Sequence, residues 1–100
     1  MRNIEKLKNI VIAKENRHLK DGDEVEFLAT VIAKKKYGFM MYTVYDHNYC
    51  AVCFDFSKST EKKVKIGKLT YFKGKIKIGE GNDYFTVDLD NANSDLTGIL

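Results

Sequence analysis

The chain contains no proline. Its strands are therefore free to pair along their length, and its turns must be made by glycine, asparagine and aspartate. Arginine is almost as scarce: lysine outnumbers it 15 to 2. Arginine recognises phosphates and bases through a planar, bidentate fork, whereas lysine is a mobile point charge, so a lysine surface suits backbone tracking better than base reading. No apolar run approaches the roughly 20 residues of a membrane span. The first residues, Met1-Arg2-Asn3-Ile4-Glu5-Lys6, carry an acid and lysine where a signal peptide has a continuous apolar block, so a cytoplasmic location is expected.

Cysteine is limited to Cys50 and Cys53, spaced C-x-x-C, with His47 three residues earlier. A zinc site needs four ligands, usually from two such pairs, and here the one other histidine is His18. Residues i and i+3 on a strand point to opposite faces, so the two sulfurs should not meet. Thioredoxin-type chemistry would need a helix N-terminus, which this context does not offer. Structural or reduced thiols are expected, with no metal and no cofactor. The other chemical signatures are equally incomplete. Asp46 beside His47 has no nucleophile placed next to it. Asp21-Gly22-Asp23-Glu24 lacks the ligand spacing of a calcium loop. The chain is expected not to be an enzyme.

What remains is a soluble globular composition, 44% apolar and 31% charged, of a length that suits one domain. The net charge of +3 is only mildly basic, but Lys34-Lys35-Lys36 and Lys73, Lys75, Lys77 cluster. Ile4, Leu7, Ile10 and Val11 have roughly helical spacing, while Ile10 to Ala13 would equally serve as a short strand. Lys20-Asp21-Gly22-Asp23 reads as a turn with Gly22 at positive φ. From Val25 to Tyr37 the pattern alternates, with Val25, Phe27, Ala29, Val31 and Ala33 on one face. Apolar residues on both faces suggest a long, bent first strand, with Gly38 hinging its connection to the next. Further strands are expected over Phe39 to Tyr45, Tyr49 to Phe56, Leu69 to Ile78 and Tyr84 to Leu89. Asp46-His47-Asn48 makes a compact turn and residues 79–83 a hairpin loop. Ser57 to Lys65 is a polar bridge with room for a helical turn or two.

The order strand, Asp turn, strand, short connector, then the glycine-bracketed strand Gly67-Lys68-Leu69-Thr70-Tyr71-Phe72-Lys73-Gly74 resembles the OB-fold. The likeness is to its anticodon-binding and replication-type single-strand binders, and covers about residues 22–90. It implies an all-β, five-stranded barrel with a helical or irregular lead-in over residues 1–21 packed on it and a tail at 91–100. An SH3-like barrel is the rival architecture, and the staphylococcal nucleases that share the OB barrel depend on arginines that this stretch lacks. The acidic residues 88–95, followed by Ile99-Leu100, are weakly similar to the partner-recruiting tails of bacterial single-strand binders, although a strand end is the plainer account.

The resemblance implies a binder of single-stranded nucleic acid, DNA ahead of RNA, largely independent of sequence, with aromatic platforms and a positive groove. The expected outer face carries Phe39, Met41, Tyr45 and Tyr49, with Tyr37 in the adjoining loop. Lys34, Lys35 and Lys36 flank one side, and Tyr71, Lys73, Lys75 and Lys77 the other. Such lysines also protect strand edges, and tyrosines are ordinary strand residues, so it is the set that carries the reading. The class implies replication or mobile-element proteins as further partners. A second copy pairing on an open strand edge, or a protein docked on the same aromatic face as in an adaptor subunit, are the alternatives.

Overall fold

The computed structural model describes residues 4–12, 19–79 and 85–97. One short helix, α1 (Leu7–Val11), precedes five strands: β1 (Glu24–Lys36), β2 (Met40–Asp46), β3 (Tyr49–Asp55), β4 (Leu69–Ile78) and β5 (Phe85–Asn93). They close into a barrel in the order β1-β2-β3-β5-β4, with β4 pairing back onto β1. All pairs are antiparallel except β3 with β5. This is an OB-fold. Among the described residues no helix is long and apolar enough to cross a membrane.

Alternation builds the interior. Val25, Phe27, Ala29 and Val31 of β1 and Met40, Tyr42 and Val44 of β2 point inward and are buried. Ala51 and Cys53 of β3, Phe72 and Ile76 of β4, and Val87, Leu89 and Ala92 of β5 complete the core. Phe27 and Phe72 face each other across β1 and β4, their rings stacked at 5.3 Å. In the lead-in the helical option holds. Leu7 and Ile10, one turn apart, are fully buried in the barrel core, and Glu5 N–H donates to the Glu26 carbonyl at the edge of β1.

Two bulges change what alternation alone would give. In the β1–β2 ladder Val31 pairs with Val44 but Ala33 pairs with Thr43, leaving Ile32 as an extra residue. Every side chain after it changes face. Ala33 and Lys35 turn outward, whereas Lys34 and Lys36 lie beside the inward residues Tyr42 and Met40. The expected face thus holds to Val31 and fails at Ala33. In β5, Leu89 pairs with Gly74 and Asn91 with Lys73, so Asp90 is extra and Ala92 returns to the core. Residues 88–93 are therefore paired strand and not a free acidic tail, and β5 runs past the expected end at Leu89. Tyr84, the 80–83 part of the hairpin loop and Ile99-Leu100 lie outside the described residues, as do Arg2, His18 and Arg17.

The turns follow their chemistry. Gly22 takes a φ of +91°, and its N–H donates to the Ile76 carbonyl. His47 and Asn48 both have positive φ, as the two-residue turn matching the strand twist requires. The bridge between β3 and β4 forms turns and no helix. It is a strap held at three places. At its start, buried Asp55 accepts hydrogen bonds from Ser57 N and Oγ, Lys58 N, and Thr60 N and Oγ1. Tyr42 OH lies 2.8 Å from Thr60 Oγ1, which itself donates to Asp55, so the phenol is the donor there. In its middle, Lys34 Nζ donates to the Glu61 and Val64 carbonyls, with Val64 fully buried. At its end, Gly67 N–H donates to the Val31 carbonyl and Val31 N–H to that of Lys68.

Burial pushes the Asp55 carboxyl up, but hydrogen bonds from Thr60 and Ser57 outweigh it and hold the group below the usual carboxylate range. A depressed folded value means that the unfolded chain takes up the proton first as pH falls. Stability from this carboxylate is then complete above about pH 4 and is lost as pH drops through the lower folded value. Urea midpoints measured downward from pH 6 are expected to fall for the wild type below about pH 4. The same fall in Asp55→Asn would show that another group is responsible.

Candidate nucleic-acid interface

The outer face of β1, β2 and β3 is set by their register. One row crosses the barrel as Lys35, Met41, Phe54, Asp88 and Lys75. A second contains Ala33, Thr43 and Val52, and a third Thr30, Tyr45 and Cys50. At the end carrying the first row, the loop from β1 to β2 brings Tyr37 and Phe39 over the sheet. Phe39 is the hub. Its ring centroid lies 5.4 Å from Tyr37, 5.6 Å from Phe54 and 5.5 Å from Phe56. Phe54 and Phe56 are stacked at 5.9 Å. Tyr37 and Phe56 remain 55% and 61% exposed, which is far more than a ring recruited only to close the core would show.

Of the expected residues, the structure thus joins Tyr37 and Phe39 in one cluster, with Met41 next to Phe54. Tyr45 is on the same face, 39% exposed, but its hydroxyl bonds Asn48 at the opposite end of the strand. Four residues along a strand separate it from Met41 by about 13 Å. It is a separate platform.

Three placements need correction. Tyr49 does not share the outer face: it pairs with Asp46, follows the inward register of Ala51 and Cys53, and packs against the core. Tyr71 is only 3% exposed, and its hydroxyl donates to the Glu26 carboxylate on the neighbouring strand, so it offers no face to a base. The lysine clusters do not simply flank the aromatics. Lys34 is committed to the strap carbonyls. Lys36 pairs with Glu61 at 3.1 Å, and Lys73 with Glu24 at 3.4 Å. Both are surface pairs worth little in stability. Lys75 and Lys77 are exposed, but β5 with Asp88 stands between them and Phe54. Burial raises the Asp88 carboxyl, with Asp21 and Asp90 adding to the effect of burial and Lys77 opposing it. Of the expected lysines, only Lys35 is both beside the cluster and without an ion pair among the described residues.

Phe54 and Phe56 were not among the expected site residues. Counting pairs outward from the two-residue turn at His47-Asn48 puts Phe54 opposite Met41, so that signal was available in the sequence. Cys50 is exposed and Cys53 fully buried, and burial pushes the Cys53 thiol up. His47 Nδ1 lies 2.8 Å from Asp46 Oδ1 on the exposed turn.

No family model and no curated protein matches the chain. Solved structures with the same fold do. A replication protein A heterotrimer bound to ssDNA matches with a TM-score of 0.60 and 14% identity, over 72% of this chain and 56% of that one. Asparaginyl-tRNA synthetase from Pyrococcus horikoshii matches with a TM-score of 0.70 and 13% identity, over 93% of this chain and 23% of the synthetase. OBody AM3L15, in complex with hen egg-white lysozyme, matches with a TM-score of 0.69 and 12% identity, over 92% of each chain. The chain thus spans little more than half of the first of these and about a quarter of the second.

Proposed function

We propose that this OB-fold binds single-stranded nucleic acid, DNA ahead of RNA, with little sequence preference, and that it is a binder and not an enzyme. One observation carries the reading: four rings joined through Phe39 at one end of the outer face, the outermost two more than half exposed. Every base has a π-face, so such a platform holds a strand without reading it. Tyr37 and Phe56 take the stacked bases, Phe39 and Phe54 brace them from beneath, and Lys35 meets the phosphates. The fold shared with a replication protein that is bound to ssDNA supports the reading.

A second reading is favoured by the corrected electrostatics. With Lys34 and Lys36 occupied and Asp88 beside Phe54, the cluster is an apolar patch in which Lys35 is the one unpaired cation that the sheet itself sets beside the rings, which also suits a protein partner. The OBody complex is a barrel of this fold bound to a protein.

Fluorescence anisotropy with labelled oligo-dT and oligo-rU at low and moderate salt separates the two. Phe56→Ala is expected to weaken binding by about 1–3 kcal/mol, roughly 5- to 150-fold. Absence of binding at low salt, with duplex controls also negative, would leave the patch as a protein-docking surface.

A further inference from the structure

We infer that the strap between β3 and β4, residues 57–68, is a second contact for the same nucleic acid, gripping its phosphate backbone beyond the aromatic platform. The inference rests on the proposed function above. The strap carries Lys58, Lys62, Lys63, Lys65 and Lys68 against one acid, Glu61. This surplus of four exceeds the +3 of the whole chain, so the rest of the protein is net acidic. All five lysines are exposed, and none forms an ion pair or side-chain hydrogen bond among the described residues. Glu61, the one acid, is already paired with Lys36. On β4, by contrast, Lys75 stands in register with Glu24 and Asp88, and Lys73 stands in register with Glu26 and pairs with Glu24. Positive potential is thus concentrated on this segment and uncompensated, which is the footprint of a polyanion site.

The strap is also built to hold that charge in place. Asp55 fastens its start, Lys34 spans its middle, and Gly67 and Lys68 bond Val31 at its end. Ser94 N–H adds a bond to the Lys63 carbonyl. A loop needed only for solubility would not require a buried carboxylate and a half-buried ammonium to fix its path. It is continuous with the platform at both approaches: it leaves from Phe56, and the Lys36–Glu61 pair ties it to the residue before Tyr37. A strand stacked on Tyr37 and Phe56 therefore has lysines immediately beyond the rings on the strap side. On the opposite side it would meet Asp88.

The test uses the full chain, oligothymidylates of about 4 and about 16 nucleotides, the limits of OB-fold site sizes, and the variant Lys62→Gln/Lys63→Gln/Lys65→Gln. Its thermal midpoint should match the wild type, because these side chains are exposed and form no ion pair among the described residues. For the long oligonucleotide, the slope of log affinity against log salt should become shallower by about 2, at about 0.7 for each lost phosphate contact. Binding of the short oligonucleotide should change little, whereas Phe56→Ala should weaken both. An unchanged long-oligonucleotide slope with a working Phe56→Ala effect would overturn the strap's role and leave the platform intact. If the wild type binds neither oligonucleotide but binds polyglutamate through these lysines, both inferences fail and the strap belongs to an acidic protein surface.

Discussion

Gly74→Ala is expected to cost the barrel much of its stability, although alanine usually improves on glycine in a strand. A Cβ at this position would lie 2.2 Å from the Asp88 carbonyl oxygen, 2.9 Å from its carbon and 3.0 Å from Leu89 Cα. All three atoms are backbone, so no side-chain rotation relieves the clash. Gly74 sits where β4 and β5 change register around Asp90, and only a residue without a side chain allows the two strands to approach there. Accommodation would mean parting the β4–β5 ladder, which closes the barrel. Overpacking costs typically about 1–3 kcal/mol and occasionally more, and a rigid backbone neighbour places this case at the upper end. Set against a total of about 5–15 kcal/mol, that is a large share. The control is Gly38→Ala, where an added Cβ meets nothing within 4 Å and φ lies outside the left-handed region. Urea denaturation should show a large loss for the first and none for the second. Equal midpoints for Gly74→Ala and wild type would disprove the close approach.

Asp55→Asn should rank next. The carboxylate accepts five hydrogen bonds, of 2.6 to 3.1 Å, three of them from backbone or hydroxyl groups of Ser57 and Lys58 and two from Thr60. An amide keeps one acceptor oxygen and turns two N–H donors toward groups that themselves donate. Thr60 and Tyr42 are buried and would lose the acceptor that orders their hydroxyls. Bonds to a charged group contribute about 1.5–3 kcal/mol each and do not add, so a loss of about 3 kcal/mol or more is expected. The variant also discriminates between roles. If Asp55 acts by fixing the strap, hydrogen exchange should speed up at Thr60 and Val64 while the β1–β2 ladder keeps its protection. A uniform loss across the barrel would mean that the strap and barrel unfold together.

Much of the fold was legible because inward and outward residues alternate cleanly in β2 and through the first half of β1. The hairpin at His47-Asn48 was marked by its Asp and Asn neighbours, and β4 matched from Leu69 to Ile78. The bulges were not legible. Neither Ile32 nor Asp90 is a glycine or lies beside a proline, so nothing local announces the extra residue, yet each inverts the side chains that follow. That inversion carried Lys34 from an expected phosphate contact to a cap on the strap. Tyr71 was read by register alone. Its burial depends on Glu26 of another strand, 45 residues away in sequence, a pairing that no local pattern reveals. Tyr49 was different: the turn count that finds Phe54 also assigns Tyr49 to the inward side.

The barrel is closed unevenly. Among the described residues β3 and β5 meet through two pairs, Cys53 with Val87 and Phe54 with Asp88, whereas the ladder between β4 and β5 runs along nearly the whole of β4. The short parallel seam is therefore where the sheet would part most cheaply, and Phe54 of the aromatic platform stands on it. Cys53 stands there too, its thiol buried and held protonated, chemically silent for as long as the seam is shut. Breathing of the sheet and disturbance of the platform are thus one event, and the protein carries in Cys53, next to Phe54 of the stacked rings and three residues from the exposed Cys50, an internal clock for how often it happens.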